Sequence, residues 1–191
     1  MNLPNQLTVA RLVLTALFVA AMSLRHLPHH YTLAFVLFVS ASITDFLDGH
    51  IARKHNLITD FGKLMDPLAD KILTGAVFIL LSAEGVMPAW CTILIISREF
   101  LVTGLRMLAS SEGAILAADR FGKWKTVTQI VTACYLMVGR GLEEPALAVF
   151  SPLYSKPLHW LGGALIAITV ALTVFSGLSY LMKNRSLIRD L

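Results

Sequence analysis

Four aspartates, Asp45, Asp48, Asp66 and Asp70, fall within 26 residues between two strongly apolar stretches. Spacings of three and four put the members of each pair on one face of a helix. Four carboxylates converging from two helices repel one another unless something neutralises them, and hard divalent cations with oxygen ligands do so most simply. Mg²⁺ characteristically takes a few carboxylates and shares its remaining positions with substrate phosphates. The pattern therefore predicts phosphorus chemistry, in surroundings apolar enough to point to a membrane.

The elements that must position these residues are predicted from run lengths. The chain has 191 residues, of which 56% are hydrophobic and 15% charged, and its mean hydropathy is +0.70. Soluble domains carry about 25% charged residues. Residues 158–182 contain no Asp, Glu, Lys or Arg over 25 positions, and residues 27–44 none over 18. A membrane-spanning helix needs about 20 mostly apolar residues. The expectation is an all-α integral membrane protein: one catalytic domain over 1–191, folded as a six-transmembrane-helix bundle. The spans are predicted at 7–24, 31–48, 64–83, 87–108, 124–140 and 158–182. Cys91 and Cys134 fall inside apolar stretches and read as small hydrophobes. The first basic residue is Arg11, so no cleaved signal peptide is expected.

Positive charge sets the orientation. With the amino terminus inside, 13 of the 16 basic residues lie on the cytoplasmic side, leaving Arg25, Arg140 and Lys156 outside. That distribution accounts for the net charge of +4 without nucleic-acid binding. Both termini and the aspartates are predicted at the cytoplasmic face of the inner membrane. The third helix is uncharged only over 72–83 and the fourth only over 86–97, both toward the outer side. Their inner halves carry Asp66, Asp70 and Lys71, and Arg98, Glu99 and Arg106. Ionisable groups at membrane depth face the bundle interior or a wet cavity. A polar cavity walled by helices 2 to 5 and open to the cytoplasmic leaflet is the expected site.

The complete pattern D-x2-D-G-x2-A-R-x8-G-x3-D-x3-D is matched without exception. On it the chain resembles the CDP-alcohol phosphotransferase family, whose members displace CMP from a CDP-linked lipid or alcohol with an acceptor hydroxyl. The resemblance implies a six-helix membrane homodimer with two divalent ions, Mg²⁺ or Mn²⁺. It implies Asp45, Asp48 and Asp66 as metal ligands, Asp45 and Asp66 bridging. Asp70 would stand beside the second metal and take the acceptor proton. Each motif residue also has a physical reason. Gly49 and Gly62 let backbone approach a nucleotide, Ala52 keeps the wall shallow, and Arg53 can fork onto phosphate oxygens. With Asp48, these four make the predicted CDP-lipid contacts. Pro67 disfavours helical geometry at Asp66, so a helix start near Asp66 is expected.

Three further stretches, 4–11, 97–106 and 122–129, resemble the phosphatidylglycerophosphate synthase branch. By that resemblance Asn5, Thr8 and Arg11 belong to the diphosphate side. Glycerol 3-phosphate is a small dianion, and Arg106, Lys123 and Lys125 offer it a cationic pocket. The expected reaction joins CDP-diacylglycerol and glycerol 3-phosphate to give phosphatidylglycerophosphate and CMP. Two alternatives stand beside it: a cardiolipin synthase of the same family using phosphatidylglycerol, and a divalent-cation transporter. Arg98 and Glu99 are adjacent and face apart on a helix, so their partners are expected elsewhere. His26, His29 and His30 read as a hydrated loop. Gly162, Gly163, Ser176 and Gly177 allow close helix packing, either within the chain or at a dimer seam.

Overall fold

The computed structural model describes residues 3–55, 60–111, 120–145, 147, 149 and 156–185. Within them, the side chains at 3–4, 46–55, 60–64, 66–67, 111, 120–121 and 156–159 lie outside the description. Six helices follow in order: α1 Leu3–Ser23, α2 His30–His55, α3 Asp60–Ala83, α4 Ala89–Ser111, α5 Arg120–Gly141 and α6 Lys156–Lys183. Among the described residues there is no strand. Four helices contain their predicted spans whole, while α1 ends one residue before its span does and α4 begins two residues later than expected. Among the described residues two helical stretches, Asn5–Ser23 and Trp160–Lys183, are long and apolar enough to cross a membrane.

Two boundaries differ from expectation in a way that bears on function. α2 continues to His55, seven residues past the predicted end of the span at 48, so the motif stays helical beyond Asp48. α3 starts at Asp60, placing Asp66 and Pro67 inside the helix rather than at its start. A proline there removes one backbone hydrogen bond from the second turn. The helix tolerates that loss and keeps Asp66 and Asp70 one turn apart on a common face.

α1 packs on α2 and α3, α2 on α5, α5 on α6, and α4 on both α3 and α6. The core lies midway along the bundle, where Phe18, Phe38, Val77, Phe78, Ile95 and Met137 are buried. Phe18 and Phe38 meet with ring centroids 5.8 Å apart. Ala34 and Ala41, fully buried, let α1 approach α2 closely, as small residues do between membrane helices. α5 and α6 are joined by a Thr132–Thr169 hydroxyl pair at 2.8 Å.

The end of the bundle remote from the aspartates is tied by polar contacts. The Tyr31 backbone N–H donates to Glu144 Oε1 at 2.7 Å, and the Thr32 hydroxyl donates to Oε2 at 2.7 Å. Glu144 thereby satisfies free donors at the start of α2. Glu84 accepts from the Tyr31 hydroxyl at 3.1 Å and pairs with Arg25 at 2.7 Å. The predicted tight turn after α3 is present, and Gly85 takes the left-handed conformation it needs (φ 70°). His26 and His29 lie in the turn before α2, and His30 opens that helix. Among the described residues no three metal-ligating side chains gather.

Candidate functional site

The motif halves of α2 to α5 and the far end of α6 enclose a cavity of about 500 Å³. Its wall includes Asp45 from α2, Asp70 and Lys71 from α3, Arg98, Glu99 and Arg106 from α4, and Lys123 and Lys125 from α5. The sequence predicted four walls. The fifth is α6, which contributes Tyr180.

Asp45 and Asp70 are thus brought to one cavity by two helices. Asp45 is held from behind by Arg11 of α1, whose guanidinium is fully buried and lies 2.6 Å from the carboxylate. A buried guanidinium fixes its partner's direction more firmly than an exposed one. Arg11, expected on the diphosphate side, therefore reaches a motif carboxylate. Asn5 and Thr8 precede Arg11 at intervals of three on the same helix, and Thr8 is buried. The side chains of Asp48, Gly49, Ala52, Arg53, Gly62 and Asp66 lie outside the described residues. Their backbones fall on α2 and α3, with Asp48 one turn beyond Asp45 and Asp66 one turn before Asp70.

Adjoining Asp70 is an ion-pair network organised by Glu99, which is 5% exposed. Its Oε2 receives the Lys71 ammonium at 2.6 Å and its Oε1 receives Lys125. Lys71 also contacts Asp70 at 3.3 Å, so positive and negative groups alternate from Asp70 through Lys71 and Glu99 to Lys125. The Gln129 amide adds a longer contact to Glu99 at 3.5 Å. Arg98 donates to the Ser176 hydroxyl at 2.6 Å, tying α4 to α6. Both residues thus take their short contacts from other helices, as expected, but Arg98 also approaches Glu99 at 3.5 Å, which corrects the expectation that these neighbours face apart. The long arginine side chain bends back far enough to touch the next residue's carboxylate.

The predicted acceptor residues all line this cavity but differ in state. Arg106 and Lys123 are exposed, whereas Lys125 is 3% exposed and engaged by Glu99. Lys71 was given no role on sequence grounds. Its signal was a lone lysine beside Asp70 at membrane depth, where charge without function is rare.

The donor chemistry suits hard cations. Two described carboxylates enter one cavity, and oxygen ligands are those that Mg²⁺ and Mn²⁺ prefer. The basic residues of the same lining suit a phosphate. The arrangement therefore places carboxylates that suit cations and ammonium and guanidinium groups that suit an anionic substrate in one lining.

Comparison with known proteins agrees with this chemistry. The sequence model for CDP-alcohol phosphatidyltransferase matches residues 1–175. A Bacillus subtilis protein named CDP-diacylglycerol–glycerol-3-phosphate 3-phosphatidyltransferase is 38% identical over 194 residues, covering 96% of this chain and 95% of its own. A Rickettsia bellii protein of the same name is 36% identical over 179 residues, covering 94% and 93%. A Mycobacterium tuberculosis protein named probable phosphatidylglycerophosphate synthase is 36% identical over 185 residues, covering 95% and 81%. With the aspartate motif complete and the match running through five of its helices and most of the sixth, this chain belongs to the CDP-alcohol phosphatidyltransferase family.

Proposed function

We propose that this enzyme transfers a phosphatidyl group from CDP-diacylglycerol to glycerol 3-phosphate, releasing CMP and forming phosphatidylglycerophosphate. The observation that carries the reading is one cavity lined by the motif carboxylates Asp45 and Asp70 together with Lys71, Arg98, Arg106, Lys123 and Lys125. The names borne by relatives at 36–38% identity over nearly the whole chain support the same acceptor. All six helices cross the membrane in this reading, with the cavity open to the cytoplasmic leaflet and the chain acting as a homodimer.

Asp45, Asp48, Asp66 and Asp70 would hold two divalent cations. When bound, such ions offset the diphosphate's charge and stabilise attacking and leaving oxygens. The protein's own groups do the rest. Arg11 keeps the Asp45 carboxylate aimed at the cavity. Gly49, Ala52, Arg53 and Gly62, with Asn5 and Thr8, form the CDP-lipid side. Arg106 and Lys123 draw in the acceptor phosphate, with Lys125 behind them on Glu99. Asp70 accepts the proton of the acceptor hydroxyl as that oxygen attacks the phosphorus bearing diacylglycerol. Charge complementarity favours glycerol 3-phosphate over a neutral alcohol, which would leave these cations unmatched.

The test is CMP release by the purified full chain from CDP-diacylglycerol with a panel of acceptors. Glycerol 3-phosphate should be used, with phosphatidylglycerol, serine and inositol phosphate well below it. Preference for phosphatidylglycerol would make the protein a cardiolipin synthase instead. EDTA should silence turnover and Mg²⁺ or Mn²⁺ restore it; full activity after thorough metal stripping would remove the two-cation site.

A further inference from the structure

Tyr180 lies five residues beyond the family match, which ends at residue 175, in a helix whose sequence shows no motif. Its side chain is 3% exposed, and it lines the same cavity as Asp70 and Arg106. Its hydroxyl is buried with no hydrogen-bond partner among the described residues, and the same is true of Arg98 Nε. A buried donor without an acceptor is costly, and native proteins keep few of them. Two such donors at one cavity suit an oxygen ligand.

The local packing explains how they meet. Ser176 and Tyr180 are four residues apart on α6 and share a face, and Ser176 already binds Arg98 at 2.6 Å. Gly177 lets Arg98 lie flat against α6: a β-carbon there would stand 3.0 Å from Arg98 Cγ and 3.9 Å from Nε. Both helices run toward the aspartate end, so one turn further brings Tyr180 between the levels of Arg98 and Arg106. Arg98 is within electrostatic reach of both. This corner holds two guanidinium groups and a phenol, whereas Asp45 enters from α2 on another wall.

We infer that Tyr180, with Arg98, binds a phosphate oxygen of the acceptor, making the last turns of α6 a specificity-determining part of the site. The inference deepens the proposed function and rests on it for the acceptor's identity. The chemistry recognised is a phosphate oxygen, which either the soluble acceptor or the CDP-lipid diphosphate could supply. The α4–α6 corner commits it to the acceptor.

The test is Tyr180→Phe in the full chain, with KM measured separately for glycerol 3-phosphate and CDP-diacylglycerol. Loss of one hydrogen bond to a charged oxygen should raise KM for glycerol 3-phosphate about tenfold or more. KM for CDP-diacylglycerol and kcat should stay near wild type, the signature of lost substrate binding. The unfolding midpoint should not fall, because the ring remains and the hydroxyl has no partner among the described residues. Glycerol 3-phosphate should also raise the variant's unfolding midpoint less than the wild type's. An unchanged KM for glycerol 3-phosphate would overturn the inference, as would a rise confined to CDP-diacylglycerol or a lowered midpoint. If the wild type prefers another acceptor, the proposed substrate falls, and the same comparison with that acceptor still decides the role of Tyr180.

Discussion

The Glu99 carboxylate has a lysine on each oxygen, Lys71 on Oε2 and Lys125 on Oε1. Glu99 and Lys125 are buried and Lys71 is partly buried, and such groups are tolerable only while they remain together, because those that are buried have lost their hydration. Glu99→Gln leaves two ammonium groups facing each other across a neutral amide. Removing one partner of a buried pair costs about 3–5 kcal/mol, so the unfolding midpoint in detergent should drop clearly. Adding Lys125→Met to Glu99→Gln should recover part of that loss, since an apolar side chain then replaces the stranded charge. A double variant no more stable than Glu99→Gln would show the pairing contributes little. Asp70 makes the opposite kind of prediction. It is half-exposed and contacts Lys71 at 3.3 Å, so Asp70→Asn should fold normally, bind CDP-diacylglycerol and turn over nothing. Near-normal CMP release would remove it as the proton acceptor.

At the scale of elements, glycine placement separates packing from freedom. Gly162 lies under Tyr135 and Leu136 of α5, where a β-carbon would come within 3.4 Å, and Gly177 lies under Arg98 of α4. Of the two roles open to these glycines on sequence grounds, both serve packing within the chain. Gly163 meets nothing within 4 Å. Gly177→Val should push α6 from α4, lowering stability and weakening glycerol 3-phosphate binding together. Gly163→Ala should instead gain about 0.5–1 kcal/mol from reduced backbone freedom in the unfolded chain. Equal effects of the two substitutions would contradict this packing. The same contrast explains what could be read beforehand. Apolar run lengths predicted six helices, and one-turn spacing predicted that Asp45 and Asp70 would be presented from α2 and α3. Spacing along one helix says nothing about which helices become neighbours. The Arg11–Asp45 and Glu99–Lys125 pairs, and the presence of Tyr180 in the wall, therefore had no signal in sequence. Asp66 was misplaced for a different reason: the local bias imposed by Pro67 lost to the continuity of α3.

For the whole molecule, the outer surface carries the argument for a membrane. Val13, Val36, Ile43, Ile79, Ile93, Phe100 and Phe175 are each at least half exposed, more apolar surface than a water-facing bundle normally tolerates. Trp90 and Trp160 stand exposed near the starts of α4 and α6 at one end, and Trp124 is exposed near the start of α5 at the other. Tryptophans at both ends of such a surface match the two interfacial belts of a bilayer. In the proposed orientation the end where the basic residues cluster with the aspartates lies inside. This orientation is testable by placing single cysteines in a chain with Cys91 and Cys134 replaced. His26→Cys, in the turn between α1 and α2, should react with a membrane-impermeant maleimide added to intact cells. Lys183→Cys, at the end of α6, should react only after the membrane is opened. Labelling of both from outside would break the six-span reading, and the reverse order would place the cavity on the outer face. There cytoplasmic glycerol 3-phosphate could not reach it, so the acceptor proposal stands or falls with the same measurement.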